Sequence, residues 1–200
     1  MGSRKIIGLT GGIACGKTNL TDALREAGER ICDADEISRS LTAEGGEALP
    51  KVREAFGDGV FEGERLNRRA LAQRIFASAE ERKKLESILH PLILGRIREA
   101  VRTAEGRLFL CAPLLYECGL ETLCDSVWCA YIPEEEQIRR LRERDGISRE
   151  QALAKVRSQM PAAEKAARAD LVIRTDGTPE ESRALVLKAL EQEKEASLDR

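Results

Sequence analysis

The segment from Gly11 to Thr18 constrains the fold of this chain more than any other. It reads Gly-Gly-Ile-Ala-Cys-Gly-Lys-Thr and so matches the phosphate-binding pattern of Gly, four residues, Gly, Lys and Ser or Thr. An apolar run at residues 5–10 predicts a buried strand before it, and apolar residues at helical spacing predict a helix after it. We therefore expect a nucleoside triphosphate site, with Lys17 on the β- and γ-phosphates and the Thr18 hydroxyl on Mg²⁺.

Composition limits the classes of protein that the chain can form. Its 200 residues, 42% of them hydrophobic, suit one α/β unit with insertions and argue against disorder. The formal net charge of −2 argues against a dedicated nucleic-acid binder, and no apolar run is long enough to cross a membrane. Six cysteines without a Cys-x-x-Cys pair, and no apolar core of a signal peptide, lead us to expect a reduced, cytoplasmic protein.

Near-continuous apolar runs predict the other strands of a parallel sheet. Helical stretches separate them, as in α/β proteins whose sheet is covered on both faces. We therefore expect the three-layer α/β fold of P-loop kinases, built on a five-stranded parallel sheet. The four further runs lie at residues 30–32, 108–111, 127–131 and 171–173.

Two long helical insertions interrupt the predicted sheet. The first covers residues 40–105 and the second covers residues 134–167. In the first, Asn67 is the predicted N-cap of a helix over residues 68–77, and Ser78 with Glu81 matches a capping box; in the second, Ser148 with Gln151 matches another. A P-loop core with one insertion for the acceptor and one for a lid is the arrangement of small-molecule kinases, because phosphoryl transfer to a hydroxyl must exclude water. The nucleotide-binding core is then expected in residues 1–39, 106–133 and 168–200.

His90 and Pro91 fall between two helical patterns of the first insertion, residues 79–89 and 91–104. Since proline ends most helices, we expect this pair to join two separate helices. On its own, His90 is more often a local structural hydrogen-bonder than a catalyst. Arg68 opens a further helix, where it either binds an acceptor phosphate or is an ordinary exposed arginine.

Two carboxylates, Asp33 and Asp35, follow the second predicted strand. Residues just beyond the carboxyl ends of parallel strands line the ligand crevice. A carboxylate there can accept a proton from an attacking hydroxyl or hold Mg²⁺. The structural alternative is a helix N-cap, a position where Asp is common. We expect at least one of the pair to be functional.

Residues 137–168 hold nine basic residues against four acidic ones, in a chain whose net charge is −2. Most arginines on helices are solvated or paired with a carboxylate one turn away. One or two, with Arg140 and Arg144 as the first candidates, are expected to close over the triphosphate and neutralise charge during transfer.

Cys15 lies within the phosphate loop, close to Lys17 and to a predicted helix N-terminus. Such surroundings lower the pKa of a thiol and favour its oxidation. The alternative is an ordinary loop side chain, and we favour that interpretation.

With these pieces assembled, the chain resembles the dephospho-CoA kinase family over nearly all of its length. The family's motifs occur in order, whereas the phosphate loop alone indicates only a nucleotide. The matching residues are Gly8 to Ile13, Gly16-Lys17-Thr18, Asp33-Ala34-Asp35, Arg39, Leu66-Asn67-Arg68, Leu71, Phe76, His90-Pro91, Pro113 to Glu117, Gln137, Arg140-Leu141, Arg144-Asp145, Gln159, Lys165 and Ala169-Asp170.

The resemblance implies transfer of the γ-phosphate of ATP to the ribose 3′-hydroxyl of dephospho-CoA, which gives CoA and ADP in the last step of coenzyme A biosynthesis. It implies ATP as co-substrate and Mg²⁺. From composition we expect no membrane or nucleic-acid partner, and we expect a monomer, although the sequence leaves an oligomer open. Asp35 is implied as the general base beside Asp33, with Lys17 and Arg140 also catalytic. The implied ATP contacts are Gly12, Ile13, Ala14, Cys15, Gly16, Lys17, Thr18, Asn19, Arg144, Thr175 and Gly177. The implied acceptor contacts are Asp35, Arg39, Arg68, His90, Leu115 and Glu117. The implied metal contacts are Thr18 and Asp33.

Three departures from the family pattern fall near the predicted ATP site. Ala14 and Cys15 stand where the family usually has Gly-Ser, and Asn19 replaces a usual Ser or Thr. Because alanine lacks the freedom of glycine at positive φ, we expect Ala14 to keep a conformation typical of L-residues. Thr175 stands where the family usually has Asn, in a loop expected near the adenine. None of these changes removes a catalytic group.

Two other functions are compatible with a phosphate loop. One is a different P-loop kinase for a nucleoside, a nucleotide or a small molecule such as shikimate; the Asp33–Asp35 pair and the segment from Pro113 to Glu117 argue against it. The other is a non-enzymatic nucleotide switch of the GTPase type. Such switches read guanine with an Asn-Lys-x-Asp segment, and the chain has no such string.

Overall fold

The computed structural model describes residues 4–198, with side chains to residue 196, and none of its helices in that range is both long and apolar enough to cross a membrane. The first three and last two residues of the predicted core lie outside this range. The strands are β1 (Lys5–Gly11), β2 (Arg30–Asp33), β3 (Phe61–Glu62), β4 (Arg65–Leu66), β5 (Arg107–Cys111), β6 (Ser126–Tyr131) and β7 (Leu171–Arg174). The helices are α1 (Lys17–Glu26), α2 (Ala34–Leu41), α3 (Leu49–Phe56), α4 (Arg68–Ala77), α5 (Ala79–Arg102), α6 (Glu134–Asp145), α7 (Arg149–Arg157), α8 (Ala162–Arg168) and α9 (Pro179–Leu198).

A five-stranded parallel sheet is the centre of the first of two compact units, residues 1–32 and 104–200. Its strand order is β2-β5-β1-β6-β7, with β1 parallel to β5 and β6. All five strands predicted from the apolar runs pair in this sheet, which confirms the predicted fold class. Because β1 is the middle strand, the phosphate loop leaves the sheet at the centre of its carboxyl edge.

Helices α1 and α9 pack together on one face of the sheet. Alternate residues of β1, Ile7 and Leu9, are fully buried in the core that these helices cover. In the same core the rings of Phe109 and Trp128 meet edge to face, with their centroids 5.3 Å apart. Helix α8 contacts β1 and β6. Thr10 of β1 donates a hydrogen bond from its hydroxyl to the Pro113 carbonyl. Helices thus cover the strands in layers, as the sequence predicts.

Helices α6 and α7 form a hairpin with a small apolar cluster of its own. The cluster contains Ile138, Leu141, Ala152 and Val156. Two residues of the phosphate loop, Ile13 and Ala14, also pack against it. Ser148 begins α7 with the predicted capping box, in which its hydroxyl and the Gln151 side chain each bind a backbone N–H. The predicted lid segment is therefore a folded, largely helical element that touches the loop.

Residues 33–103 form the second compact unit. It is helical apart from the hairpin of β3 and β4. Asn67 begins α4 as predicted, since its side chain accepts a hydrogen bond from the N–H of Ala70. The core of this unit comes mainly from α3, α4 and α5, and its buried residues are Leu41, Ala48, Val52, Phe56, Val60, Leu71 and Leu85.

The prediction of two helices joined at His90 and Pro91 is wrong, because α5 runs unbroken through both residues. Proline lacks the N–H that would bind the carbonyl four residues earlier, so a helix continues through it only when tertiary packing compensates. That packing is present here: apolar residues on both sides of Pro91, including Ile88 and Leu92, lie against the same core. Burial of one continuous face therefore outweighs the local preference to break.

Candidate active site

The phosphate loop ends at Gly16, immediately before α1. Gly16 has φ 76° and ψ 18°, a left-handed conformation that glycine adopts without steric cost. Gly12 lies against Gln137 of α6, since a Cβ atom on Gly12 would come within 2.7 Å of Gln137 Oε1. These glycines let the backbone turn so that the N-terminus of α1, which favours anions, faces the loop.

Ala14 has φ 61° and is the one non-glycine residue with positive φ between residues 4 and 198. The expectation that Ala14 keeps a conformation typical of L-residues is therefore wrong. The left-handed conformation is less favourable by roughly 1–2 kcal/mol for a residue that carries a Cβ atom. The packing of Ile13 and Ala14 on the cluster of α6 and α7 offsets that cost. Tertiary contacts hold the strained conformation that glycine would reach freely.

We expect Ala14→Val to destabilise the protein by about 2 kcal/mol, because a β-branched side chain fits the left-handed region worse than alanine does. Ala14→Gly should stay within about 1 kcal/mol of the parent, since released strain and added unfolded-state entropy oppose each other. Urea unfolding of the three proteins measures both effects. A valine variant as stable as the parent would show that Ala14 is not strained in solution.

Cys15 is almost fully buried and packs in the sheet core. Burial raises the pKa of the Cys15 thiol, and the nearby Lys17 ammonium lowers it less. The hypothesis of a low-pKa, oxidisable thiol is therefore wrong, and the ordinary loop side chain is the better interpretation.

The first turn of α1 presents the other predicted ATP contacts of the loop. Lys17 is half-buried and Thr18 is exposed. Asn19 donates from Nδ2 to the carbonyl of Pro179 at 2.8 Å. The residue that departs from the family pattern thus joins α1 to the first residue of α9.

Arg140 of α6 lies beside the phosphate loop. Its Nη1 would be 3.8 Å from a Cβ atom on Gly16. Its Nε donates to Glu136 at 2.9 Å, and its Nη2 donates to the carbonyl of Thr175 at 2.7 Å. Two acceptors, the Glu136 carboxylate and the Thr175 carbonyl, therefore orient this guanidinium group.

Arg144, the second predicted lid arginine, donates to both carboxylate oxygens of Asp145. Lys155 binds the same carboxylate, and the two cations hold the pKa of Asp145 well below its usual range. The side chain of Arg144 is 61% exposed, against 24% for Arg140. The structure therefore shows Arg140 beside the loop and Arg144 paired with Asp145, and the ATP contact of Arg144 stays a prediction. Several other basic side chains of this segment are also paired, as the alternative interpretation expects: Arg139, Arg149 and Arg157.

A cavity of about 220 Å³ opens beside the loop in the first unit. Thr175 is 2% exposed, and its hydroxyl donates to the Cys15 carbonyl. Gly177 lies further along the same segment. The cavity brings together four of the predicted ATP contacts and Arg140; its lining residues are Gly16, Asn19, Arg140, Thr175, Gly177, Pro179 and Ser182.

In the second unit, the two predicted carboxylates have different surroundings. Asp33 is the N-cap of α2: its Oδ1 accepts from the N–H groups of Asp35 and Glu36 at 2.8 and 3.2 Å. The structural alternative therefore applies to Asp33. Asp35 is exposed in the first turn of α2, and its carboxylate has no hydrogen-bond or ion-pair partner among the described residues.

The remaining acceptor candidates of this unit are spread over three elements. Arg68, at the start of α4, donates to the carbonyl of Arg39 at 3.1 Å and so caps the end of α2. Arg39 and His90 are both exposed, on α2 and α5 respectively. Arg68 therefore has a structural role in addition to any contact with an acceptor.

Leu115 and Glu117 lie in the segment after β5, and their predicted contacts with the acceptor stay predictions. The Leu115 side chain is fully buried. Glu117 lies 2.8 Å from the ammonium of Lys165, a fully buried lysine of α8, and also accepts from the N–H of Met160. Lys165 donates in addition to the Pro113 carbonyl at 2.5 Å. This ion pair joins α8, at the end of the predicted lid, to the segment that follows β5.

Two further residues position the site; Gln137 is among the residues that match the family pattern, whereas Glu136 was not predicted. Glu136 orients Arg140, and Gln137 packs on Gly12 while its Nε2 donates to the Ile132 carbonyl. Glu136 belongs to a run of three glutamates, any of which the sequence alone would assign to the solvent. Spacing offers one hint, because Glu136 and Arg140 are one helical turn apart.

The fold and the loop together define a P-loop kinase. A solved shikimate kinase from Acinetobacter baumannii matches at a TM-score of 0.55 and 16% identity, covering 97% of this chain and 95% of that one. That likeness concerns the fold.

The family follows from closer relatives. Residues 5–181 match the model of the dephospho-CoA kinase family. Dephospho-CoA kinase from Carboxydothermus hydrogenoformans is 41% identical over 192 residues, which cover 94% of this chain and 93% of the relative. The structure of dephospho-CoA kinase from Campylobacter jejuni matches at a TM-score of 0.70 and 25% identity, covering 94% and 97% of the two chains. The chain belongs to the dephospho-CoA kinase family.

Proposed function

We propose that this protein transfers the γ-phosphate of ATP to the ribose 3′-hydroxyl of dephospho-CoA, producing CoA and ADP. The observation that carries the proposal is membership of the family over residues 5–181, with an intact phosphate loop inside that range. The predicted P-loop kinase fold and the prediction that the protein is an enzyme both agree with this reaction.

The first unit supplies the nucleotide side of the proposed reaction. The N-terminus of α1 and the loop backbone bind the phosphates, and the Lys17 ammonium meets the charge on the β- and γ-phosphates. Arg140 is already oriented beside Gly16. The cavity lined by Thr175 and Gly177 receives the nucleoside end of ATP.

The second unit supplies the acceptor side. We propose Asp35 as the general base, because its carboxylate is exposed and has no partner among the described residues. Asp33 is occupied as the N-cap of α2 and is the weaker candidate. The 3′-hydroxyl passes its proton to Asp35, and the 3′-oxygen forms a bond to the γ-phosphorus of ATP. The bond between the γ-phosphorus and the bridging oxygen breaks, and ADP leaves. Arg39, Arg68 and His90 remain proposed acceptor contacts.

Mg²⁺ is a further part of the proposal. Among the described residues no group of three or more His, Cys, Asp or Glu side chains is placed to hold a metal. This fits Mg²⁺ in kinases, which binds one or two protein oxygens and otherwise water and phosphates. We propose the exposed Thr18 hydroxyl as a direct ligand of Mg²⁺, and the Asp33 carboxylate as a contact to the ion through a bound water molecule. When bound, the ion would neutralise phosphate charge.

We further propose that residues 134–167 act as the lid and residues 40–105 as the acceptor-binding segment. If so, amide hydrogen exchange in residues 134–167 should slow when ATP analogue and acceptor bind, because closure protects backbone amides. Residues 186–196 of α9, beyond the cavity and outside the lid, serve as the internal reference. Slowing confined to the sheet and α1, with residues 140–157 unchanged, would show that the segment is only scaffold.

The test of the function is an acceptor comparison at fixed ATP and Mg²⁺. We expect rapid ADP release with dephospho-CoA, and a product that carries one additional phosphoryl group on the ribose 3′-oxygen. The 3′-deoxy analogue of dephospho-CoA is the matched control and should give no turnover. Faster turnover with a nucleoside, a nucleotide or shikimate would overturn the assignment.

A cytoplasmic location and a monomeric state are also part of the proposal. Cys15, Cys118, Cys124 and Cys129 carry free thiols, which fits a reducing compartment. Light scattering of the purified protein measures the oligomeric state.

A further inference from the structure

One buried hydroxyl group connects the phosphate loop with the carboxyl edge of the sheet. Thr175 directly follows β7 and is 2% exposed. Its backbone N–H donates to the carbonyl of Tyr131, at the end of β6, at 3.1 Å. Its Oγ1 donates to the carbonyl of Cys15 at 2.5 Å. Thr175 is therefore bound to the sheet through its backbone and to the loop through its side chain.

The contact with Cys15 controls the direction of a loop N–H group. In a trans peptide the C=O and the following N–H point in opposite directions. Holding the Cys15 carbonyl therefore also fixes the N–H of Gly16, which points away from Thr175. The residue that is held this way is the last one before α1.

The same residue also orients the lid arginine. The carbonyl of Thr175 accepts from Arg140 Nη2 at 2.7 Å, while the Glu136 carboxylate accepts from Nε of the same guanidinium group. A single residue thus sets the relative position of two groups that bind phosphate in the proposed reaction.

We propose that Thr175 is a positioning residue that holds the backbone of the phosphate loop and Arg140 in their phosphate-binding arrangement before nucleotide arrives. The proposal rests on the proposed function only in that the loop and Arg140 bind the phosphates of ATP. It requires no contact between Thr175 and the adenine.

The test compares Thr175→Val, which keeps the shape and removes the hydroxyl, with Thr175→Ser, which keeps the hydroxyl. Thr122→Val is the control, because the Thr122 hydroxyl also donates to a backbone carbonyl, that of Gly119, and Thr122 lies outside the proposed site. The affinity for ADP is measured by calorimetry without any acceptor. Values of kcat and KM for ATP and for dephospho-CoA are measured in parallel.

We expect Thr175→Val to weaken ADP binding and to lower kcat/KM for ATP by about tenfold, because a buried carbonyl loses its donor. The KM for the acceptor should change less than about twofold, Thr175→Ser should recover most of the loss, and Thr122→Val should match the parent. Unchanged ADP affinity in a folded Thr175→Val protein would overturn the proposal. Equal losses for both substrates without rescue by serine would also overturn it, since they indicate a general structural defect.

A double-variant cycle tests the link to Arg140. If Thr175 acts partly through Arg140, Thr175→Val should cost less in the Arg140→Gln background than in the parent. Full additivity would remove that part of the proposal. Because ADP binding needs no acceptor, these results stay interpretable even if dephospho-CoA proves not to be the substrate.

Discussion

Lys17→Ala should lower kcat by about 10²-fold or more. The ammonium of Lys17 meets negative charge that grows on the transferring phosphoryl oxygens, and this interaction is stronger in the transition state than in bound ATP. The fold should be unaffected, because the side chain is half-buried at the start of α1 and is not part of the sheet core. Steady-state kinetics with saturating ATP and dephospho-CoA measures the effect on kcat.

Lys188→Ala is the matched control for this prediction. Lys188 is an exposed lysine of α9, so its replacement changes the net charge equally without touching the loop. Thermal unfolding of both variants separates a loss of chemistry from a loss of structure. Near-parental kcat in a folded Lys17→Ala protein would refute the role proposed for the phosphate loop.

Asp35→Asn should lower kcat by about 10²- to 10⁴-fold and leave ATP affinity within a few-fold. The amide keeps the size of the carboxylate but cannot accept the proton of the 3′-hydroxyl. A loose, metaphosphate-like transition state needs little activation of the nucleophile, so the effect should lie toward the lower end of that range. Glu36→Gln is the matched control, since Glu36 occupies the next position of the same first turn.

Asp33→Asn separates the roles of the two carboxylates. Asn is as good an N-cap as Asp, so the variant should keep its stability while its Mg²⁺ dependence shifts if Asp33 holds the ion through water. Kinetics of both variants over a series of Mg²⁺ concentrations distinguishes the two effects. If Asp33→Asn loses kcat while Asp35→Asn keeps it, the assignment of the base is reversed.

Local features of this fold are predictable from the sequence because they depend on residues close together in the chain. Asn67 and Ser148 begin helices where the pattern places them, and α4 has the predicted bounds. The pattern at Ser78 is satisfied only in part, since Ser78 accepts from the N–H of Glu81 while the Glu81 carboxylate pairs with Arg74. Short-range rules thus give the start of a helix but not every partner of its side chains.

Features that depend on distant residues could not be predicted. Pro91 lies inside a helix because apolar residues on both sides of it share one core. The positive φ of Ala14 depends on packing against α6 and α7. The hydroxyl of Thr175 binds a carbonyl 160 positions earlier in the chain. In each case tertiary contacts override or complete what the local sequence favours.

The packing of Ile13 on the cluster of α6 and α7 has a mechanical consequence. These helices cannot swing outward as a rigid body without withdrawing an apolar side chain from its neighbours, and exposure costs about 25 cal/mol for each Å². Small movements near α6 are therefore resisted, whereas parts of the segment far from Ile13 meet less resistance. The contact of Ile13 therefore limits how far α6 and α7 can move away from the phosphate loop.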